Sequence, residues 1–164
     1  MRLTRAGHGF DAHPLVEGRA LVIGGVRIPF ERGALGHSDA DVLVHAISDA
    51  LLGAACLGDL GSRFPASDDR WKDADSMLML QNCAQALRHA GFDPVNIDAT
   101  VVVDSPKLAA FISQMRANVA SHTGLRLDDV SIKAKSSEGL GYTGDGSGIC
   151  AYAVASVLAP DRAP

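Results

Sequence analysis

The chain has 164 residues, 47% hydrophobic and 21% charged, which suits one domain with a real core and excludes wholesale disorder. Fifteen Lys+Arg against nineteen Asp+Glu give a formal charge of −4, and aromatics are only 5%; both argue against a general nucleic-acid surface. The apolar runs 51–57 and 151–159 are too short or broken to span a bilayer, Met1–Gly9 has no signal-peptide core, and Cys56, Cys83 and Cys150 form no C-x-x-C pair. A reduced, cytoplasmic protein without a membrane or nucleic-acid partner is expected.

In chain order, Leu3–His13 reads as a strand ended by Pro14 and pairing with the hairpin that follows. That hairpin is Leu21–Ile23, Gly24-Gly25, Val26–Ile28, where two glycines supply the positive φ angles of a tight turn. Ser38-Asp39-Ala40-Asp41 has the spacing of a capping box, so a helix is expected over Val42–Leu57, apolar almost all round and stopped by Gly58. A second helix runs from Ser76 to Ala90 on a stripe of Met77, Leu80, Ala84 and Leu87, with Gly91 after it. Ile97–Val103 reads as a strand. Pro106 opens a third helix with Leu108, Phe111, Ile112, Met115 and Val119 on one side. Val130, Ile132 and Ala134 alternate with polar residues as in a half-buried strand. A glycine-rich loop over 139–148 leads to a last strand, Ile149–Val157. Strands interleaved with three helices predict an α+β domain over residues 1–160, a two-layer sandwich with the helices on one face of a mixed sheet.

Several residues have the chemistry of a site. Asp11 and His13 are two apart on a strand and share a face. His45 sits inside the apolar first helix with Asp41 and Asp49 one turn to either side. Either it is a core histidine satisfied by a carboxylate, or one ring nitrogen binds a metal while Asp41 or Asp49 holds the other. Asp11, His13 and His45 with an open fourth position suit a catalytic divalent ion, zinc above all. His37-Ser38 precedes that helix, where free N–H groups make either a cap or a phosphate seat. The segment from Lys133 to Glu138 leaves a strand and enters the glycine loop. It fits a nucleotide's phosphates with hydrated Mg²⁺, or a plain polar strand end. No Walker A loop is present. Such residues also admit a zinc hydrolase acting through bound water, or a non-catalytic scaffold.

The ordered set Gly-His-Gly-Phe-Asp11-x-His13, Ile-Gly-Gly-Val-Arg-Ile-Pro, His37-Ser-Asp-x-Asp-x-x-x-His45, Asp-Ala-Leu-Leu-Gly-Ala-Ala, Leu-Gly-Asp59-Leu-Gly61-x-x-Phe64-Pro65, Ser-Pro-Lys107 and Glu138-x-Leu-Gly-Tyr-Thr-Gly covers about residues 2–158. It resembles the 2-C-methyl-D-erythritol 2,4-cyclodiphosphate synthase family of the non-mevalonate isoprenoid pathway. The resemblance implies a homotrimer with active sites between subunits. It implies Zn²⁺ on Asp11, His13 and His45, and Mg²⁺, or another divalent ion such as Mn²⁺, on Glu138. The implied substrate is a cytidine diphosphate compound. His37 and Ser38 would hold phosphate. Asp59, Gly61 and the segment from Phe64 to Asp68 would meet the ribose and sugar-alcohol region. Val103 through Ala109, including Ser105, Pro106 and Lys107, would form the cytosine pocket. Lys135, Ser136 and Ser137 would meet the diphosphate, with Tyr142 and Asp145 completing the contacts, and His37 and Ser136 would stabilise the transition state. Three positions depart from the pattern. Ala66 stands where an acid is common, Lys135 where Thr is common, and Asp145 where many members carry Arg at the trimer's inner cavity; an acid there would repel an isoprenoid diphosphate.

Overall fold

The computed structural model describes residues 2–161. Strand β1 (Thr4–Glu17), the hairpin β2 (Leu21–Ile23) and β3 (Val26–Ile28), and β4 (Arg32–Ala34) come first. Helices α1 (Val42–Ala55), the single turn α2 (Leu60–Arg63) and α3 (Ser76–His89) follow. The rest is β5 (Asp93–Val102), α4 (Ile112–Thr123), β6 (Val130–Lys135), the turn α5 (Gly141–Gly144) and β7 (Gly148–Leu158). Five strands make a mixed sheet in the order β4-β1-β7-β5-β6, with β5 and β6 parallel and the other neighbours antiparallel. The expected α+β class is what forms. Along β7, Ile149, Ala151, Ala153, Ala155 and Val157 are buried under the helices, while Tyr152 and Val154 on the opposite face are exposed. Phe10 joins them, its ring centroid 5.0 Å from that of Tyr152.

The hairpin forms as expected, with Gly24 at φ 60° and Gly25 at φ 69°, but it stands apart as its own two-stranded sheet. β1 pairs with β7 and β4 instead. Pro14 does not end β1. Its missing N–H costs nothing here, because its carbonyl accepts the Leu35 N–H and Leu15 N–H reaches Ser147 O. The cap of α1 is Asp41 rather than Ser38: the Asp41 carboxylate accepts from Val44 N, and Ser38 Oγ turns to Ala40 N. The helix ends at Cys56, which is itself left-handed, two residues before Gly58. β5 starts at Asp93, earlier than expected. The helix expected from Pro106 begins only at Ile112, after a short 3₁₀ turn at Ala109–Phe111. Ala134 is exposed, unlike Val130 and Ile132.

Packing of α1 on β1 sets the site. Residues 7, 9, 11 and 13 share one face of β1, the face toward α1. At Gly7 and Gly9 the strand backbone meets the helix backbone directly. A Cβ at Gly9 would stand 1.9 Å from Ala46 O, and one at Gly7 2.1 Å from Ala50 O. Two residues further on, the same face carries Asp11, and the same helix carries His45. Gly9→Ala is therefore expected to push the helix outward, costing about 3 kcal/mol of stability as overpacking against rigid backbone. Urea unfolding measures it; an unchanged midpoint would show that the helix can slide without loss.

Candidate functional site

Asp11 Oδ2 lies 2.9 Å from His13 Nε2 and 2.9 Å from His45 Nδ1, and the two ring nitrogens are 3.4 Å apart. Ligand atoms about 2.0–2.1 Å from a tetrahedral zinc stand roughly 3.3 Å from one another. The three groups thus need only a small opening to share one ion.

Their partners set the tautomers. His13 Nδ1 is 3.0 Å from Leu35 O, an atom that can only accept, so that nitrogen carries the proton and Nε2 presents a lone pair. His45 Nε2 is 2.9 Å from Ser76 Oγ, whose own proton goes to Asp39 Oδ1. A hydroxyl has one proton, so Ser76 accepts from His45 Nε2–H and Nδ1 is left as an acceptor. Two lone pairs and a carboxylate then meet at one point, which only a positive charge can hold together. Burial opposes the ionisation of Asp11, but the bonds to His13 and His45 outweigh it and hold the carboxyl at about 2. Burial likewise disfavours charge on His45, yet Asp11, with Asp41 and Asp39 behind it, raises its pKa. In the absence of a metal, a proton on imidazole fills the role of the cation. One oxygen and two imidazole nitrogens suit zinc and its neighbours better than magnesium.

Asp41 and Asp49 do not hold His45. Asp41 is drawn to Val44 N and Gly25 N, pinning the hairpin to the start of α1, and Asp49 accepts from Leu60 N. The outer support is the chain His45–Ser76–Asp39. Asp39 also accepts Ser76 N. Ser76→Ala is expected to keep the fold and weaken zinc affinity by about 10–100-fold, the usual cost of losing such support. Competition with a chromophoric chelator measures it; parent-like affinity would mean that packing alone orients the ring.

A cavity of about 240 Å³ opens beside this cluster, lined by His13, His37, Ser38, His45, Leu60, Gly61, Phe64, Ala66, Trp71 and Met79. His37, Ser38, Gly61 and Phe64 thus share a cavity with His13 and His45. The buried Nε2 of His37 has no hydrogen-bond partner among the described residues, a donor or acceptor that a ligand in this cavity would satisfy. Phe64 and Trp71 close one wall edge to face, 4.8 Å between centroids. Asp59 is exposed, capping α2 through Ser62 N, and Asp68 caps the next turn and pairs with Arg70.

A second hollow, about 180 Å³, is lined by Val103, Pro106, Lys107, Leu108, Ala109, Ala134, Lys135 and Ser136. Here the two strand ends β5 and β6 lie side by side. Ser105, Ser137 and Glu138 adjoin it in sequence, and Glu138 is exposed with a left-handed backbone, φ 55°. Tyr142 lines a third hollow with His13 and Gly148. Asp145 is exposed, and its carboxylate accepts Ser147 N. Within one chain, then, the expected site residues fall into separate hollows. Sequence reasoning missed Trp71, Met79, Asp39 and Ser76. Asp39 was within sight as a neighbour of Asp41; Ser76 belongs to no motif by itself.

Comparison with known proteins adds an independent line. The YgbB family model matches residues 4–158. A 2-C-methyl-D-erythritol 2,4-cyclodiphosphate synthase of Burkholderia thailandensis is 56% identical over 154 residues, 94% of this chain and 95% of that protein. One from Salinibacter ruber is 50% identical over 93% of this chain and 98% of its own length. Among solved structures, a 2C-methyl-D-erythritol-2,4-cyclodiphosphate synthase in a CDP-bound form has TM-score 0.86 at 35% identity, covering 93% of this chain and 99% of that one. The bifunctional IspDF of Campylobacter jejuni has TM-score 0.93 at 37% identity and covers 98% of this chain; this chain spans only 44% of that longer protein.

Proposed function

The chain belongs to the YgbB family, and on that premise we infer that it is a 2-C-methyl-D-erythritol 2,4-cyclodiphosphate synthase of the non-mevalonate isoprenoid pathway. Its substrate is 4-diphosphocytidyl-2-C-methyl-D-erythritol 2-phosphate. The 2-phosphate of that molecule attacks its own β-phosphorus, CMP leaves, and a cyclic diphosphate forms. By class this is a cyclising phosphorus–oxygen lyase, and it works in the cytoplasm. The observation that carries this reading is the meeting of Asp11, His13 and His45 beside a cavity walled by His37 and Ser38.

The nucleophile is a phosphate oxygen, already anionic at neutral pH, so no strong base is required. The protein's task is to fold a flexible polyanion until attack is in line, an effect worth about 7–11 kcal/mol where orientation is good. Asp11, His13 and His45 would hold Zn²⁺, and Glu138 would hold Mg²⁺. When bound, these ions neutralise phosphate charge and act as Lewis acids. His37 and Ser38 orient phosphate in the metal-side cavity, and His37 with Ser136 steadies the transition state. Gly61, Phe64, Asp59 and Asp68 border the sugar-alcohol region. Lys107 with the segment 103–109 receives the cytosine. Lys135, Ser136 and Ser137 meet the diphosphate, and Phe64 and Trp71 keep water from the reacting phosphorus.

Because the metal cluster and the nucleotide hollow are separate within one chain, a homotrimer that brings one subunit's cluster to the next subunit's hollow completes the site. The exposed apolar sheet face with Phe10, Tyr152 and Val154 supports such an assembly. The test is incubation with the substrate, Zn²⁺ and Mg²⁺, followed by phosphorus NMR. A cyclic diphosphate and CMP are the expected products. In ¹⁸O-labelled water the product should carry no solvent oxygen; label in the product would make the protein a hydrolase instead.

A further inference from the structure

Asp104 lies within the segment 103–109 but lines none of the three hollows, and it ties two segments together. It follows Val103 at the end of β5. Its backbone N–H goes to Thr143 O at 3.2 Å, and Val103 N–H goes to Lys135 O at 3.0 Å. Its side chain reaches the loop after β6. Oδ1 accepts from Ser136 Oγ at 2.8 Å, Ser137 N at 2.7 Å and Ser137 Oγ at 3.1 Å, while Oδ2 accepts from Gly139 N at 2.8 Å. The donors in turn fix what lies beyond them. Ser136 Oγ donates to Asp104 and accepts Glu138 N at 2.9 Å; Ser137 Oγ accepts from Thr143 Oγ1 at 2.8 Å. Glu138 sits at φ 55°, a backbone conformation that a residue with a Cβ adopts only when its surroundings impose it. Four of these contacts end on the Asp104 carboxylate, and the Ser136 hydroxyl that it orients holds Glu138 N.

We propose that Asp104 is a positioning residue that latches the cytosine segment to the loop Ser136–Gly139, so that a nucleotide seated by its base finds the loop already shaped for the β-phosphate. This rests on the reading of that loop as the diphosphate site. Four donors on two oxygens call for a carboxylate: an amide has one acceptor oxygen and would set its NH₂ against Gly139 N–H. The four bonds also hold the carboxyl at about 2, led by those from Gly139 N and Ser136 Oγ, so the latch stays ionised through the physiological range. An anion beside a diphosphate is tolerable because its own charge is already met by these donors, and Lys135 and Lys107 line the same hollow.

The latch acts on the β-phosphate and leaves base recognition alone, so CMP and CDP separate it from a general structural role. Both are titrated calorimetrically into the full-length protein with Mg²⁺, as parent, Asp104→Ala and Asp104→Asn. In the parent, CDP is expected to bind more tightly than CMP. Asp104→Ala should weaken CDP by about tenfold and CMP by less than about twofold; Asp104→Asn, which keeps the Oδ1 contacts, should weaken CDP by about threefold. Equal losses for the two ligands, or an unchanged CDP:CMP ratio in both variants, would overturn the proposal while leaving the diphosphate reading of the loop standing. A parent that binds CDP no better than CMP overturns that reading, and the latch with it.

Discussion

Replacing His45 by alanine is expected to strip zinc from the protein and lower CMP release by a factor on the order of 10³ or more, while the chain stays folded. The imidazole is one of the three donors that would hold the ion, and Asp11 with His13 would fill only two of four tetrahedral positions. Several kilocalories of transition-state charge stabilisation go with it, at a tenfold rate loss for each ~1.4 kcal/mol. The fold survives for a local reason. His45 is half-buried and faces the cavity, so alanine opens that cavity further without removing a wedge from the core, and alanine suits a helix interior. Ser76 Oγ and Asp11 then meet water. Elemental analysis and thermal unfolding measure the two halves of this expectation, and full zinc occupancy in the variant would remove His45 from the ligand set. Zinc uptake by the parent should also weaken on acidification, because the metal must displace the His45 proton, which Asp11 holds more firmly than an ordinary imidazole's. The sign is fixed: affinity is highest above the imidazole range and falls as pH drops through it.

The triad was legible because its parts obey two periods. Asp11 and His13 share a strand face by alternation, and His45 stands out in a helix that is otherwise apolar. What the helical period could not reveal is where neighbouring carboxylates spend their charge. Asp41 and Asp49 lie one turn from His45, but unpaired N–H groups at Gly25, Val44 and Leu60 compete for them and win. Ser76 and Asp39 take their place from outside the helix, a contact of tertiary origin with no local pattern behind it. The hairpin turn was legible because only glycine sits easily at both of its positions. Pairing partners were not: β1 bypasses the adjacent hairpin for β7, a strand some 140 residues away, since β7 offers buried alanines and valine on the face that α1 covers. Pro106 likewise signalled a helix start, yet the chain first makes a 3₁₀ turn at Ala109–Phe111, and α4 begins only after it. The split of the site residues between separate hollows is a matter of tertiary placement, and spacing along a sequence carries nothing about it.

Glu138→Gln divides the two metal roles. Glu138 is far from the zinc donors in sequence and touches none of them, so zinc content and melting temperature should match the parent. Its backbone N–H is held by Ser136 Oγ, and glutamine keeps that bond and the loop's shape with it. What changes is charge: an amide oxygen is a weaker ligand for a hard cation than a carboxylate, and Mg²⁺ takes only one or two protein carboxylates to begin with. If Glu138 holds Mg²⁺ as proposed, its loss should slow CMP release by roughly a hundredfold, in line with weaker neutralisation of the diphosphate as CMP departs. Raising Mg²⁺ should recover part of the rate in Glu138→Gln and none in His45→Ala, because one variant weakens a magnesium ligand and the other removes a zinc ligand. A Glu138→Gln protein that releases CMP at the parent rate would take this residue out of the reaction.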